Sequence, residues 1–452
     1  MSKLWTSADI AKAVGGTAQG EWSVSGVSID SRSVDAGDLF VPLKDARDGH
    51  EFMDAAFDGG AAGALSAQDK DGNIVRVDDA LSALRALGQA SVARSEALRI
   101  GVTGSVGKTS VKEALALMFS KFGNTHKSLK SYNNHWGVPL TMARMPKDSD
   151  FGIFEMGMNH ASELSDLSNL LRPNIALITN VAGAHLAHFD SVEDIAKAKA
   201  EIIEGVGEDG IVILNADNPY FEQLKSHVGK RRLITFGRDD SCDVTIVTSQ
   251  TNNFGSNTRL RIEAQQIDMT LLVKGEHWIA NGAACMAVAY AAGVNLRKAA
   301  MALRSVRAEQ GRGETSALTL DGKALSLIDD SYNANPTSMG AAIDVLGSSQ
   351  GRKIAVLGDM YELGKDELEL HAGLSTPLEA AGISRVITVG ETMRALRGAL
   401  PQALRGPWAE NWQDALAALK EELEDGDTVL VKASNGVGLG KLVYAIKQES
   451  LS

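Results

Sequence analysis

Short apolar runs recur at 100–103, 151–155, 175–181, 211–215 and 233–236, and again at 326–329, 354–357, 386–389 and 428–431, each followed by a helix-length stretch. That alternation predicts an α/β protein with mostly parallel sheets. Runs as continuous as Ile175-Ala-Leu-Ile178 suit strands buried on both faces. Between 244 and 273 the pattern changes to short alternating strands with a polar turn, which predicts an antiparallel addition at the sheet edge. Helices are expected again at 277–292 and 295–306. The beginning of the chain reads as an amphipathic helix within 1–16, strands near 27–32 and 38–43, and a helix near 53–59. Three domains are therefore expected. They are a small α/β N-terminal domain (1–95), a central domain with a mostly parallel sheet (96–312) and a smaller doubly wound C-terminal domain (313–452), with Gly311-Arg312-Gly313 as the hinge.

The run at 100–103 leads into Gly104-x-x-Gly107-Lys108-Thr109, and the segment behind it carries Val111, Leu115, Met118 and Phe119 at helical spacing. A strand, a glycine-bounded loop and a helix in that order make a phosphate cradle. Glycines let backbone N–H groups converge on phosphate oxygens, and the helix N-terminus adds partial positive charge. Gly104, Gly107, Lys108, Thr109 and Ser110 are the candidate nucleotide-binding residues. Lys108 would reach the β- and γ-phosphates, and the Thr109 hydroxyl would hold Mg²⁺. The longer form of this motif has a glycine where this chain has Val102, so the loop is the short variant.

Other candidates fall at strand ends. Glu155 closes the 151–155 run, where a carboxylate beside a phosphate loop suits Mg²⁺. Thr179-Asn180-Val181 ends the next run and His185 follows it; His188 reads as an ordinary loop residue. In Ile195-Ala-Lys197-Ala-Lys199-Ala-Glu201 the two lysines lie about 200° apart around a helix, so only one can face a given site. Ile195 and Ile202 flank Lys199 and turn it inward, although a surface lysine is the ordinary reading. Asn133-Asn134 could be turn chemistry or ligand contacts, and Asp330-Ser-Tyr332-Asn333-Ala-Asn335 could hold a base or ribose. Ser31, Arg32, Lys44 and His50 offer donors that suit a pyrophosphate, or form a solvated loop set.

Net charge is −12 with a calculated pI of about 5.3, which argues against a nucleic-acid partner. Cys242 and Cys285 are far apart without metal spacing and read as reduced, which fits a cytoplasmic location. The low-charge run at 278–294 is too short and too rich in small residues to insert in a membrane.

In order along the chain stand Thr103-Gly104-x-x-Gly107-Lys108-Thr109, Asn133-Asn134-x-x-Gly137, Glu155-Met-Gly157-Met, Thr179-Asn180-Val181 with His185, and Lys199-Ala-Glu201. Gly275-x-His277-x-x-x-Asn281, Gly311-Arg312, Asp330-x-Tyr332-Asn333-Ala-Asn335-Pro336 and Leu357-Gly-Asp-Met-x-Glu362-Leu-Gly364 follow. This set resembles the Mur ligase family of cell-wall peptide ligases over essentially the whole chain. The resemblance implies an N-terminal domain for the UDP end of the substrate, a central P-loop ATPase domain and a Rossmann-like C-terminal domain. It implies ATP-dependent joining of UDP-N-acetylmuramoyl-tripeptide to D-alanyl-D-alanine through an acyl phosphate, by a monomer. Thr109 and Glu155 would hold one Mg²⁺; Glu155, His185 and a carbamylated Lys199 would hold a second. Lys108, Lys199 and His185 would be catalytic. Asn281, Tyr332 and Asn333 would surround adenine and ribose, and Arg312 and Asp330 would touch nucleotide. Ser31, Arg32, Lys44, His50, Asn133 and Asn134 would serve the UDP-linked substrate. Where relatives commonly carry Lys-Gly-Ser-Arg, this chain has Lys432-Ala-Ser-Asn435, so a carboxylate grip by that arginine is not expected.

Overall fold

A computed structural model describes residues 3–183, 186–252 and 254–451. Three main sheets divide the chain. In the first, strands Gly26–Ser28, Asp38–Phe40, Gly63–Ser66 and Ile74–Arg76 run parallel, and Thr17–Ala18 closes the edge antiparallel. The initial helix is shorter than expected, Ser7–Val14, because Trp5–Thr6 pairs as a strand with Ser23–Val24. The Trp5 indole donates to the Ala143 carbonyl at 2.9 Å and lies under the Arg94 guanidinium, which fastens this unit to the helix Gly137–Ala143.

The second sheet has nine strands. Leu98–Thr103 lies at its heart, between Phe151–Glu155 on one side and Ile175–Ile178 on the other, and all three are parallel. The chain leaves Leu98–Thr103 toward one edge and later returns on its other side, which opens a crevice at the carboxyl ends of the strands. Beyond Arg232–Gly237 the strands Val244–Asn252, Gly255–Ile262 and Gln265–Leu271 continue the sheet, the last two pairings being antiparallel, as the alternating pattern predicted. Both faces of this sheet are covered. Ile100, Val102, Val111 and Leu115 pack with the helix Glu276–Ala291 on one face, and Phe154, Met156, Ile178 and Ile195 fill the other. That two-sided burial is why the central strands are apolar without alternation.

The third sheet runs Glu314–Leu320, Lys323–Asp330, Asp427–Lys432, Lys353–Gly358, Arg385–Val389 and Arg405–Ala409 across its width. The first pair is antiparallel and the rest are parallel. The edge strands Glu314–Leu320 and Arg405–Ala409 were not expected from sequence. Exposed residues alternate along the first, and the second is short and contains Pro407, so neither shows a continuous apolar run.

Candidate active site

The strand Leu98–Thr103 ends at Gly104, and Gly107 precedes the helix Lys108–Phe119. Both glycines have positive φ. A Cβ on Gly104 would lie 2.0 Å from Thr179 Oγ1, and one on Gly107 would lie 2.7 Å from Asn281 Oδ1. The loop is braced from outside: the Thr179 hydroxyl donates to the Val106 carbonyl at 2.6 Å and the Ser105 N–H donates to the Asn180 carbonyl at 2.8 Å. No side chain caps the helix N-terminus, so its N–H groups face the crevice and suit an anion. Lys108 folds back and donates to the Gly104 carbonyl at 2.6 Å. Burial pushes its pKa down, while nearby Glu155 works against that.

Glu155 is buried one strand away. Its Oε1 accepts from Asn133 Nδ2 at 2.8 Å, whereas its Oε2 has no hydrogen-bond partner. Asn133 is held in turn, because its carbonyl accepts from the Gly157 N–H at 2.8 Å and a Cβ on Gly157 would collide with its amide. The Lys112 ammonium lies 3.7 Å from that oxygen, an ion-pair distance beyond hydrogen-bond reach, so the buried oxygen still has a coordination position to offer a metal cation. Among the described residues no three His, Cys, Asp or Glu side chains gather into a metal cage. A sparse set of one carboxylate and the Thr109 hydroxyl fits Mg²⁺, which keeps waters and binds through few carboxylates plus substrate phosphates.

The two lysines of the helix Val192–Ala200 part as their spacing predicts. Lys197 is exposed and pairs with Asp194 at 2.8 Å, while Lys199 is buried. Burial, with Lys108 adding repulsion, drives the Lys199 pKa well below its ordinary value. His185 lies outside the described residues. The His188 ring packs edge-on against His160 with centroids 4.7 Å apart.

The opposite wall comes from the C-terminal unit and the segment leading into it. Arg312 donates to the Ser131 hydroxyl at 3.2 Å and lies over the Tyr332 ring at 4.2 Å. Asp330 accepts from Lys432 at 2.6 Å; burial raises its pKa and Lys432 opposes the shift. These groups and the phosphate loop enclose one cavity of about 810 Å³. Its lining includes Gly107, Lys108, Thr109, Ser110, Asn133, Glu155, Asn281, Arg312, Asp330, Tyr332 and Asn333. His277 also lines it, with a pKa pushed down to about 4 by burial and by Lys432.

The remaining described candidates, Gly104 and Lys199 among them, are not part of that lining. The Asn134 side-chain oxygen accepts from the Gly137 N–H at 2.9 Å, which is turn work rather than ligand contact. Ser31 and Arg32 sit on a short 3-10 turn, where Arg32 chelates Asp30 through two hydrogen bonds of 2.9 and 2.8 Å. Lys44 bridges to Asp48 through its backbone. His50 is held within the unit as well. Its Nδ1 pairs with Asp48 at 2.7 Å and its Nε2 accepts from the Ala67 N–H at 3.0 Å, so both ring nitrogens are engaged within the unit.

Sequence reading missed Lys112, which is wholly buried beside Glu155. The signal was present: Lys112 lies one helical turn beyond Lys108, amid apolar Val111, Ala114 and Leu115.

A phosphate loop facing a buried carboxylate, and closed by a second doubly wound unit, defines a nucleotide-dependent α/β enzyme. The Mur ligase middle domain matches residues 102–289, and the Mur ligase glutamate ligase domain matches residues 311–435. The UDP-N-acetylmuramoyl-tripeptide–D-alanyl-D-alanine ligase of Escherichia coli is 34% identical over 435 residues, covering 94% of each chain. The Bacillus subtilis enzyme of the same name is 34% identical over 440 residues, covering 95% of this chain and 94% of its own. The crystal structure of MurF from Acinetobacter baumannii superposes with a TM-score of 0.88 at 26% identity, covering 98% of this chain and 99% of its own. The chain belongs to the Mur ligase family.

Proposed function

We infer that this chain joins D-alanyl-D-alanine to UDP-N-acetylmuramoyl-tripeptide with conversion of ATP to ADP and phosphate, in cell-wall precursor synthesis. The observation that carries the reading is the convergence of the phosphate loop, Glu155, Asn281, Arg312 and Asp330 on one cavity, in a chain similar end to end to ligases of that name. A carboxylate is a poor acyl donor. Its attack on the γ-phosphorus makes an acyl phosphate, and the dipeptide amine then displaces phosphate from the acyl carbon. Such transfers depend mainly on positioning and charge neutralisation.

Lys108 leaves the Gly104 carbonyl for the phosphates. Thr109 and Glu155 hold a Mg²⁺, with Asn133 fixing the carboxylate. A Mg²⁺ bound there would supply charge neutralisation for the phosphoryl group. The depressed pKa of Lys199 favours its neutral amine, the form that adds to CO₂ and loses a proton to become a carbamate. As a carbamate, Lys199 would join Glu155 and His185 in holding a second Mg²⁺. Asn281, Tyr332 and Asn333 surround the base and ribose, and Arg312 and Asp330 close on the nucleotide. Residues 1–95 take the UDP end through Ser31, Arg32 and Lys44, residues 96–312 the ATP, and residues 313–452 the cover. The enzyme works as a cytoplasmic monomer without nucleic acid or membrane insertion. No described helix is long and apolar enough to cross a membrane.

Phosphate release from ATP, measured with the UDP-linked tripeptide and with or without D-alanyl-D-alanine, tests the reading. Dipeptide-dependent release and a product heavier by one dipeptide less water are expected. Release that follows a single amino acid instead overturns the dipeptide assignment. ATP binding without release under any acceptor overturns the ligase activity.

A further inference from the structure

Lys112 has no place in the reaction just described, yet its side chain is completely buried in a charged neighbourhood. Its Nζ donates to the Lys130 carbonyl at 2.6 Å, lies 3.0 Å from Glu113 Oε1 and lies 3.7 Å from Glu155 Oε2, an oxygen without a hydrogen-bond partner. Glu113 is itself paired on its other oxygen with Lys127. Lys130 has φ +49°, a left-handed conformation that a lysine keeps only when its surroundings hold it there. The segment it begins carries Ser131, which accepts from Arg312, and Asn133, which orients Glu155.

Two consequences follow. The ammonium pins a strained turn that connects the metal-facing carboxylate with the cross-cavity arginine. The same ammonium is a resident cation beside the carboxylate oxygen that a divalent ion needs, and it would compete for that oxygen unless another anion held it. Glu113 is that anion, and Lys112 sits closer to it than to Glu155.

We propose that Lys112 and Glu113 act as a positioning pair: Lys112 pins the Lys130 turn, and Glu113 keeps the Lys112 ammonium out of hydrogen-bond reach of Glu155 so that the carboxylate stays available to a divalent cation. The inference rests on the reading that Glu155 takes that cation.

The test is Mn²⁺ affinity of the full-length enzyme with a non-hydrolysable ATP analogue, read from the electron paramagnetic resonance signal of free Mn²⁺, with thermal melting as a fold check. Glu113→Gln lets the ammonium move to Glu155 and weakens Mn²⁺ binding by about tenfold, the range expected for groups that orient a metal ligand. Adding Lys112→Met to that variant restores the affinity to about the wild-type value. Lys112→Met alone binds Mn²⁺ more tightly by about threefold, as expected when a nearby cation is removed, because Asn133 keeps its own anchor at the Gly157 N–H, but turns over more slowly because Ser131, which meets Arg312, is unpinned. A role confined to packing weakens both metal binding and turnover, and additively. Unchanged affinity in Glu113→Gln, or no recovery in the double variant, overturns the proposal. If Glu113→Gln fails to fold, Lys112→Met decides alone: equal or weaker Mn²⁺ binding overturns it. Glu155→Gln is the control. Wild-type affinity there removes the metal reading and this inference with it, whereas a normal loss there with no response at Glu113 overturns this inference alone.

Discussion

The central cleft and the N-terminal unit both gather charged and hydrogen-bonding side chains at loop ends, but they hold them differently. In and beside the cleft several charged groups are buried. Lys199 is 2% exposed and its charged form is opposed by burial and then by the Lys108 ammonium, Glu155 keeps an oxygen without a hydrogen-bond partner, and Lys108 bonds a carbonyl of its own loop. In the N-terminal unit the same kinds of groups are at rest. The Arg32 side chain is 87% exposed and chelates Asp30, and His50 has a partner on each ring nitrogen. Unsatisfied buried charge destabilises a fold unless a ligand relieves it, so the cleft carries the mark of a site in its own energetics. The N-terminal cluster carries no such mark, and its role rests on the family.

The largest effect that would break this contrast is at Lys199. Lys199→Ala is expected to lower dipeptide-dependent phosphate release by about a thousandfold, the scale of losing a preorganised charge at a phosphoryl-transfer site. Short carboxylic acids should restore part of it by standing in for the carbamate. Full activity in the variant would reduce Lys199 to a buried residue like any other.

Next in size is a pH effect on stability. The His126 ring is buried, donates to the Thr141 carbonyl at 2.7 Å as the neutral form, and has a pKa pushed down from 6.5 to about 4. The unfolded chain binds this proton more readily, so the contribution is complete above pH 6.5 and is lost as pH falls toward 4. The loss amounts to about 3 kcal/mol. Denaturant melts of wild type and His126→Gln from pH 7.5 to 4.5 should converge as the pH falls. Parallel curves would mean that His126 titrates normally in the folded state.

Asn133→Ala follows, with an expected drop in turnover and Mg²⁺ affinity of about tenfold to a hundredfold, since it orients a metal-facing carboxylate. Steady-state rates across a Mg²⁺ series would register it. A change confined to the KM of the UDP-linked substrate would return Asn133 to substrate binding.

The parts legible in the sequence were those where backbone rules leave little choice. Gly104 and Gly107 stand where a Cβ would strike Thr179 and Asn281, so the loop could be read from glycine spacing between a strand and a helix. Lys199 could be separated from Lys197 because a helix turns them to different faces. Lys112 escaped because its meaning depends on Glu155 and Lys130, which only the folded chain brings beside it. The structural partner of His50 was hidden for the same reason: Ala67 lies 17 residues away and meets its second nitrogen from a neighbouring strand end. The two larger sheets followed from alternation of apolar runs, while the edge strands Glu314–Leu320 and Arg405–Ala409 lack the two-sided burial that writes such runs.

The smallest effects lie in the N-terminal unit, where they sharpen the contrast most. His50→Ala removes the partner of the Ala67 N–H and should cost about 1–2 kcal/mol of stability. It should leave the KM for the UDP-linked substrate unchanged, because no ring nitrogen is free to meet it. Arg32→Ala should do the reverse, with melting unchanged and KM raised about fivefold, the modest scale of an exposed ion pair. The effect is small because Arg32 must give up Asp30 to reach a diphosphate, so one ion pair is exchanged for another. Measuring KM for the UDP-linked tripeptide and melting temperature in both variants separates a tether from a ligand contact. If His50→Ala raises KM and Arg32→Ala does not, the two roles are exchanged. The resting geometry of this unit would then have to open before substrate could bind.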